Sequence, residues 1–237
     1  MAAPTVVLVH GAFADSASYG PVVRQLLDKG HQVRVPAVPN RSLLGDAAYI
    51  RSVVEHIDGP VLLVGHSYGG AIITVAGAAD NVVGLVYLAG YALDEGETLN
   101  QLQGGFPESP LAKELVTTPY ADGATSGIDV SVNVDAFPHI FAEGIEPADA
   151  QVLAVSQRPL AAAAFDEAAP VAAWKTKPAW GIVSAADLTI NPDVERFGYQ
   201  RANFRSVVEV EGAPHLVMRS HPERVVALIE DALAELA

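Results

Sequence analysis

One stretch of the chain has the residue types and spacing of a serine nucleophile: Val61-Leu-Leu-Val-Gly-His-Ser-Tyr-Gly-Gly70. It contains Gly65-x-Ser67-x-Gly69 between an unbroken apolar run and a run of small, helix-compatible residues. A nucleophile elbow needs that context. A sharp strand-to-helix turn holds the serine in a strained backbone conformation with Oγ exposed at the sheet edge. Glycines on either side let strand and helix approach without a Cβ clash. The following helix aims its N-terminal N–H groups at the place where negative charge develops on a reacting carbonyl. Without the flanking strand and helix, the same letters would be a glycine-rich packing turn.

A serine hydroxyl needs a base. Of seven histidines, His215 alone lies in a loop after the last apolar run, in Val210-Glu-Gly-Ala-Pro-His215, so it is the expected base. His66 is expected to pack beneath the elbow and His10 to support the loop after the first strand. His31 and His56 read as solvated boundary residues, His221 as a helix start, and His139 as a residue of the central segment that could reach substrate but is not expected to act on it. None of these pairs has a metal-ligand spacing such as His-Glu-x-x-His, and no metal or other cofactor is expected. The base in turn needs a carboxylate to fix its tautomer and stabilise the imidazolium. Asp187, in Ser184-Ala-Ala-Asp187-Leu-Thr-Ile-Asn-Pro192, leads, with Asp94 as the alternative after an earlier strand. The oxyanion of an acyl-transfer intermediate needs two donors, each worth about 2.7–4 kcal/mol in the transition state. The Tyr68 N–H is one, and the N–H of Ala12 or Phe13, in His10-Gly11-Ala12-Phe13, is the other.

Positioning these groups requires a sheet. Apolar runs over residues 5–10, 32–37, 61–65, 82–89, 180–184 and 206–210 read as strands. Helical patterns over 21–29, 43–57, 70–79, 193–201 and 222–236 alternate with them. Such alternation, with the central strands rich in Val, Leu and Ile, implies a mostly parallel, doubly wound α/β sheet. The alternation lapses over residues 91–177, where Gly and Pro recur. A structureless loop of that length is improbable in a compact domain, so this segment is expected to be a cap inserted between residues 1–90 and 178–237, which form the core. Within it, 128–134 reads as a short exposed strand, and 143–157 and 160–167 read as helices. The pocket is expected between Phe13, Tyr19 and Tyr68 below and Phe106, Phe137 and Phe141 above, with Tyr91 and Leu216 at its edge.

At 237 residues, half of them hydrophobic and 18% charged, the chain suits one globular domain. A formal net charge of −14 argues against a nucleic-acid or anionic-membrane partner. The absence of cysteine excludes disulfides, thiolate metal sites and a Cys nucleophile. The N-terminal residues show no basic leader segment, so a cytoplasmic location is expected. A homodimer is left open.

Taken together, HGA near the start, GHSYGG, AADLTINP and GAPHLVM resemble the small α/β-hydrolases that include methyl salicylate esterase and the plant hydroxynitrile lyases. The resemblance covers nearly all the chain and is weakest in the cap. It implies an α/β-hydrolase fold, a Ser67–His215–Asp187 triad, and Ala12 as the second oxyanion donor. The lyases carry Thr where this chain has Gly11 and Lys where it has Leu216, so the resemblance favours an esterase. Related epoxide hydrolases and haloalkane dehalogenases place Asp where this chain has Ser67. The expected activity is hydrolysis of a small, mostly apolar ester. A perhydrolase or thioesterase using the same triad, a C–C bond hydrolase, and a non-catalytic ligand-binding homologue are the rivals.

Overall fold

The computed structural model describes residues 3–122 and 125–237. Its main sheet has six parallel strands: β1 (Thr5–Val9), β2 (Val33–Arg34), β3 (Val61–His66), β4 (Val82–Leu88), β8 (Ala179–Ser184) and β9 (Ser206–Val210). Their spatial order is β2-β1-β3-β4-β8-β9. β1, β3 and β8 are buried along their whole length, which explains their unbroken apolar runs, while exposure alternates along the edge strand β9.

From β1 the chain steps to β2 on one side and then to β3 on the other. β1 and β3 therefore flank the topological switch point, where the loops after adjacent strands diverge and open a crevice. Register pairs Val9 with Gly65, which sets the loop after β1 directly against the turn after β3.

Helices α1 (Gly20–Asp28) and α9 (Pro222–Glu235) pack together, as do α2 (Leu43–Glu55) and α3 (Tyr68–Ala76). The doubly wound order sends these pairs to opposite faces of the sheet. α7 (Pro192–Arg201) packs on β8, with Asn191 capping it and Pro192 at its first turn. The short α8 (Val217–Ser220) precedes α9.

Between β4 and β8 the chain builds a second, three-stranded sheet in the order β5-β6-β7, from β5 (Leu115–Asp122), β6 (Thr125–Val132) and β7 (Leu160–Ala161). Three helices accompany it: α4 (Leu99–Gln103), α5 (Phe137–Ile140) and α6 (Pro147–Ser156).

Several expected elements differ. The strand expected over 32–37 pairs only at Val33 and Arg34, because Pro36 has no N–H to offer a ladder. The strand expected over 128–134 belongs to the longer β6. There Ile128 stays exposed while Val130 and Val132 are buried. The helix expected over 143–157 starts only at Pro147, after Gly144 at φ 74°, and is capped by the Glu146 carboxylate. The helix expected over 160–167 is reduced to a single 3-10 turn at Ala162–Phe165. Leu160 and Ala161 pair with Val130 and Asp129, and this strand pairing overrides alanine's helix propensity. No helix of the described residues is long and apolar enough to cross a membrane.

Candidate active site

Ser67 sits on the turn between β3 and α3 with φ 56° and ψ −124°, a conformation that L-residues rarely adopt. The surroundings hold it there. Its N–H donates to Leu88 O at 3.1 Å, and its carbonyl accepts from Gly70 N at 2.9 Å and Tyr91 N at 3.3 Å. Only glycine fits beside it: a Cβ on Gly65 would lie 2.4 Å from Gly69 O, and one on Gly69 would lie 2.3 Å from Val9 O.

His215 and Asp187 approach from the ends of the next strands across the sheet. Asp187 follows β8, and its Oδ1 accepts from the N–H groups of Thr189 at 2.7 Å and Ile190 at 3.0 Å. Its Oδ2 receives the His215 Nδ1–H at 2.6 Å, with both side chains buried. In the neutral imidazole that donation leaves Nε2 as the basic ring nitrogen, and Nε2 has no hydrogen-bond partner among the described residues, Ser67 Oγ included. His66, one residue before Ser67, has its ring 4.5 Å from the His215 ring and donates Nε2–H to the His215 carbonyl at 2.9 Å. Burial, and then the neighbouring His215, push its imidazole well below the usual histidine range, so it stays a neutral donor. Asp94 is excluded from this group: it pairs with Lys175 at the surface at 2.5 Å, which lowers its carboxyl below the ordinary value.

The loop after β1 completes the arrangement. A Cβ on Gly11 would lie 2.8 Å from Ser67 Cβ and 3.2 Å from Tyr68 N, so glycine there lets the loop touch the elbow. The Phe13 N–H already donates to Arg158 O at 2.9 Å. The N–H groups of Ala12 and Tyr68 donate to nothing among the described residues, so of the two candidates after β1 it is Ala12 whose N–H has no acceptor there. As expected, His10 supports this loop: Nδ1–H donates to Gly11 O and Nε2 accepts from Val38 N, both at 2.9 Å.

A model of the family described as "Alpha/beta hydrolase family" matches residues 6–228. The chain belongs to the alpha/beta hydrolase family. Within it, the chain is 36% identical over 112 residues to a carbendazim hydrolyzing esterase of Nocardioides sp. (strain SG-4G), across 40% of this chain and 46% of that protein. It is 33% identical over 102 residues to a pyrethroid hydrolase of Sphingobium wenxiniae, across 37% of this chain and 36% of that one. The aligned stretches thus span less than half of each relative. The structure of polyneuridine aldehyde esterase has the same fold, with a TM-score of 0.84 at 16% identity over 98% of this chain and 99% of that one.

This alpha/beta hydrolase has a cleft of about 650 Å³ above Ser67. Of the residues expected there, Phe13, Tyr68, Tyr91 and Phe106 line it, and Ala12 joins them. Tyr19, Phe137, Phe141 and Leu216 do not. Tyr19 is fully buried in the core, its hydroxyl donating to Val9 O at 3.1 Å. Phe141 packs between Phe13, Phe137 and the His215 ring at centroid distances of 5.9, 4.8 and 4.9 Å, so it and Phe137 wall in the histidine rather than face the cleft. Leu216 is buried beside His215. His139 is exposed and away from the cleft. The opposite wall comes from the second sheet through Leu115, Thr117, Val130 and Leu160, residues that no local pattern marked.

Two buried acids were also missed. Asp46 on α2 accepts the Tyr68 hydroxyl at 2.8 Å and fixes that ring against the cleft, and burial raises its carboxyl above the ordinary range. Glu195 on α7 is fully buried beside Asp187. A sequence signal exists for it: Val194, Glu195, Gly198 and Tyr199 form the buried face of α7, which puts an acid on an apolar stripe.

Proposed function

We propose that the protein is a serine carboxylic ester hydrolase acting through an acyl-enzyme. The observation that carries this reading is the buried Asp187–His215 pair, its Nε2 unpartnered, together with a Ser67 held at positive φ on the adjoining elbow. His215 Nε2 takes the Ser67 proton as Oγ attacks the ester carbonyl. The oxyanion is received by the N–H groups of Ala12 and Tyr68, which have no competing acceptor. Protonated His215 then passes its proton to the leaving alcohol, and water repeats both steps to free the acid. Asp187 holds the imidazole orientation throughout and balances its positive charge.

The wall composition narrows the substrate. Leu99, Phe106, Leu111, Val130 and Leu160 make the cleft mostly apolar, and none of its described lining residues is Lys, Arg or His. Its ionisable groups include the exposed carboxylates Glu108 and Asp166. A neutral ester with an apolar acyl or alkyl portion fits best, since an anionic one would lack a counter-charge. The relatives named for carbendazim and pyrethroid hydrolysis support a small-molecule substrate.

The test is hydrolysis of p-nitrophenyl acetate and butyrate by wild type and Ser67→Ala. Loss of at least ~10³-fold in kcat/KM, with an unchanged melting temperature, is expected. Equal rates for the two proteins would remove the esterase reading for simple acyl groups.

A further inference from the structure

Glu195 is a charge-capable group in the dry core that the catalytic cycle does not use. Its side chain is fully buried. Oε2 accepts the Ser184 N–H at 3.0 Å, while Oε1 has no hydrogen-bond donor among the described residues. Ser184 ties the two acids together: its N–H donates to Glu195 Oε2 at 3.0 Å and its carbonyl accepts the Asp187 N–H at 3.2 Å, which brings the Glu195 carboxyl close to that of Asp187. Two buried carboxylates in contact, with no donor between them, cannot both be charged, so one carries a proton.

Counting donors decides which. Asp187 already receives the N–H groups of Thr189 and Ile190 and the Nδ1–H of His215, all of which favour its anion. Glu195 receives only Ser184 N–H. Of the other groups near Glu195, only Arg196 favours its charge, and it is the weakest of the influences on that carboxyl. Tyr91 and Tyr199 are buried phenols, and the guanidinium of Arg196 is turned outward onto Glu209 and Asp193.

We propose that Glu195 is a positioning residue of the triad, a neutral carboxylic acid at working pH that donates its proton in a hydrogen bond to Asp187. It thereby ties α7 to the triad acid and fixes the carboxylate that orients His215, without placing a second negative charge beside the imidazole. Burial first, and then the Asp187 charge, push the Glu195 carboxyl well above its ordinary value, in keeping with that assignment. The role rests on the triad reading, whereas the protonation of Glu195 does not.

Glu195→Gln is the decisive variant, because a carboxamide keeps an acceptor for Ser184 and a donor for Asp187. Glu195→Ala removes both. The readouts are melting temperature between pH 5 and 9 and the pH profile of kcat/KM on p-nitrophenyl butyrate. The linkage sign is fixed. A carboxyl with a raised folded-state value contributes stability that is present below its unfolded value and lost as pH rises toward the folded one. Glu195→Gln escapes that loss, so its melting temperature is expected to gain on wild type by roughly 3–5 °C per pH unit above pH 5. Its kcat/KM should stay within about threefold of wild type with the acid limb unmoved, while Glu195→Ala loses about 10- to 100-fold. A Gln variant that loses ground to wild type as pH rises, or whose acid limb moves to lower pH, would mean an ionised Glu195 and overturn the proposal. So would a Glu195→Ala enzyme with wild-type rate and profile. If wild type itself hydrolyses no ester, the triad reading fails instead, and the melting series still reports the Glu195 proton.

Discussion

Ser67, the proposed nucleophile, sits in a strained backbone conformation. Its φ of 56° and ψ of −124° are a conformation that costs a non-glycine residue on the order of 1–3 kcal/mol, held by the bonds to Leu88, Gly70 and Tyr91. Glycine has no Cβ to clash there, and its extra unfolded-state entropy offsets only about 0.5–1 kcal/mol of the gain. Ser67→Gly is therefore expected to abolish esterase activity while raising the melting temperature by roughly 2–4 °C. A lowered melting temperature would show that the elbow is not strained at this position. The same residue explains what was legible from sequence. Ser67, Asp187 and His215 could be read because each ends or follows a strand, and the ends of parallel strands converge at one edge. Tyr19, Phe137, Phe141 and Leu216 were assigned to the pocket on type alone. An aromatic or aliphatic side chain near a site packs equally well into the core behind it, and type does not say which way it points.

The elements of the core followed from the strand-helix alternation, whereas between β4 and β8 local pattern marked β6 and α6 but neither β5 nor β7, for reasons of pairing. β5 contains Pro119, which argues against a strand in any local reading, yet β5 lies at the edge of the small sheet where a missing N–H is tolerated. β7 is two residues long and exists only because β6 is already in place. Non-local pairing of this kind leaves no periodic mark, so the wall it forms stayed invisible. That wall should control acyl-chain length. Val130 is 6% exposed, lies on β6 and lines the cleft opposite Ser67. Val130→Trp adds bulk at the wall without touching the elbow or the loop after β1. Turnover of p-nitrophenyl acetate is expected to stay within a few-fold of wild type, while octanoate falls by at least ~10-fold. This corresponds to about 1.4 kcal/mol of lost transition-state binding. Equal losses on both esters would mean that the small sheet bears on the triad itself rather than on substrate length.

At the scale of the whole molecule, charge is the property that composition alone predicts and that the cleft shares. The chain carries a formal net charge of −14, and the cleft's described lining contributes Glu108 and Asp166 but no Lys, Arg or His. The long-range field and the local wall therefore have the same sign. They act through different physics. The field changes the encounter rate and is screened over about 8 Å at physiological ionic strength. The cleft changes affinity at short range, where salt penetrates less. Three esters of equal length separate the two: one neutral, one with a quaternary ammonium on the acyl chain, one with a terminal carboxylate. At 10 mM salt the expected order of kcat/KM is cationic or neutral above anionic. Raising salt to 500 mM should slow the cationic ester, speed the anionic one and leave the neutral one unchanged. An anionic ester that stays slow at high salt assigns the discrimination to the lining carboxylates and the missing counter-charge. An anionic ester that matches the neutral one at every salt concentration would show that neither the net charge nor the lining governs selection, and would reopen the choice of substrate class.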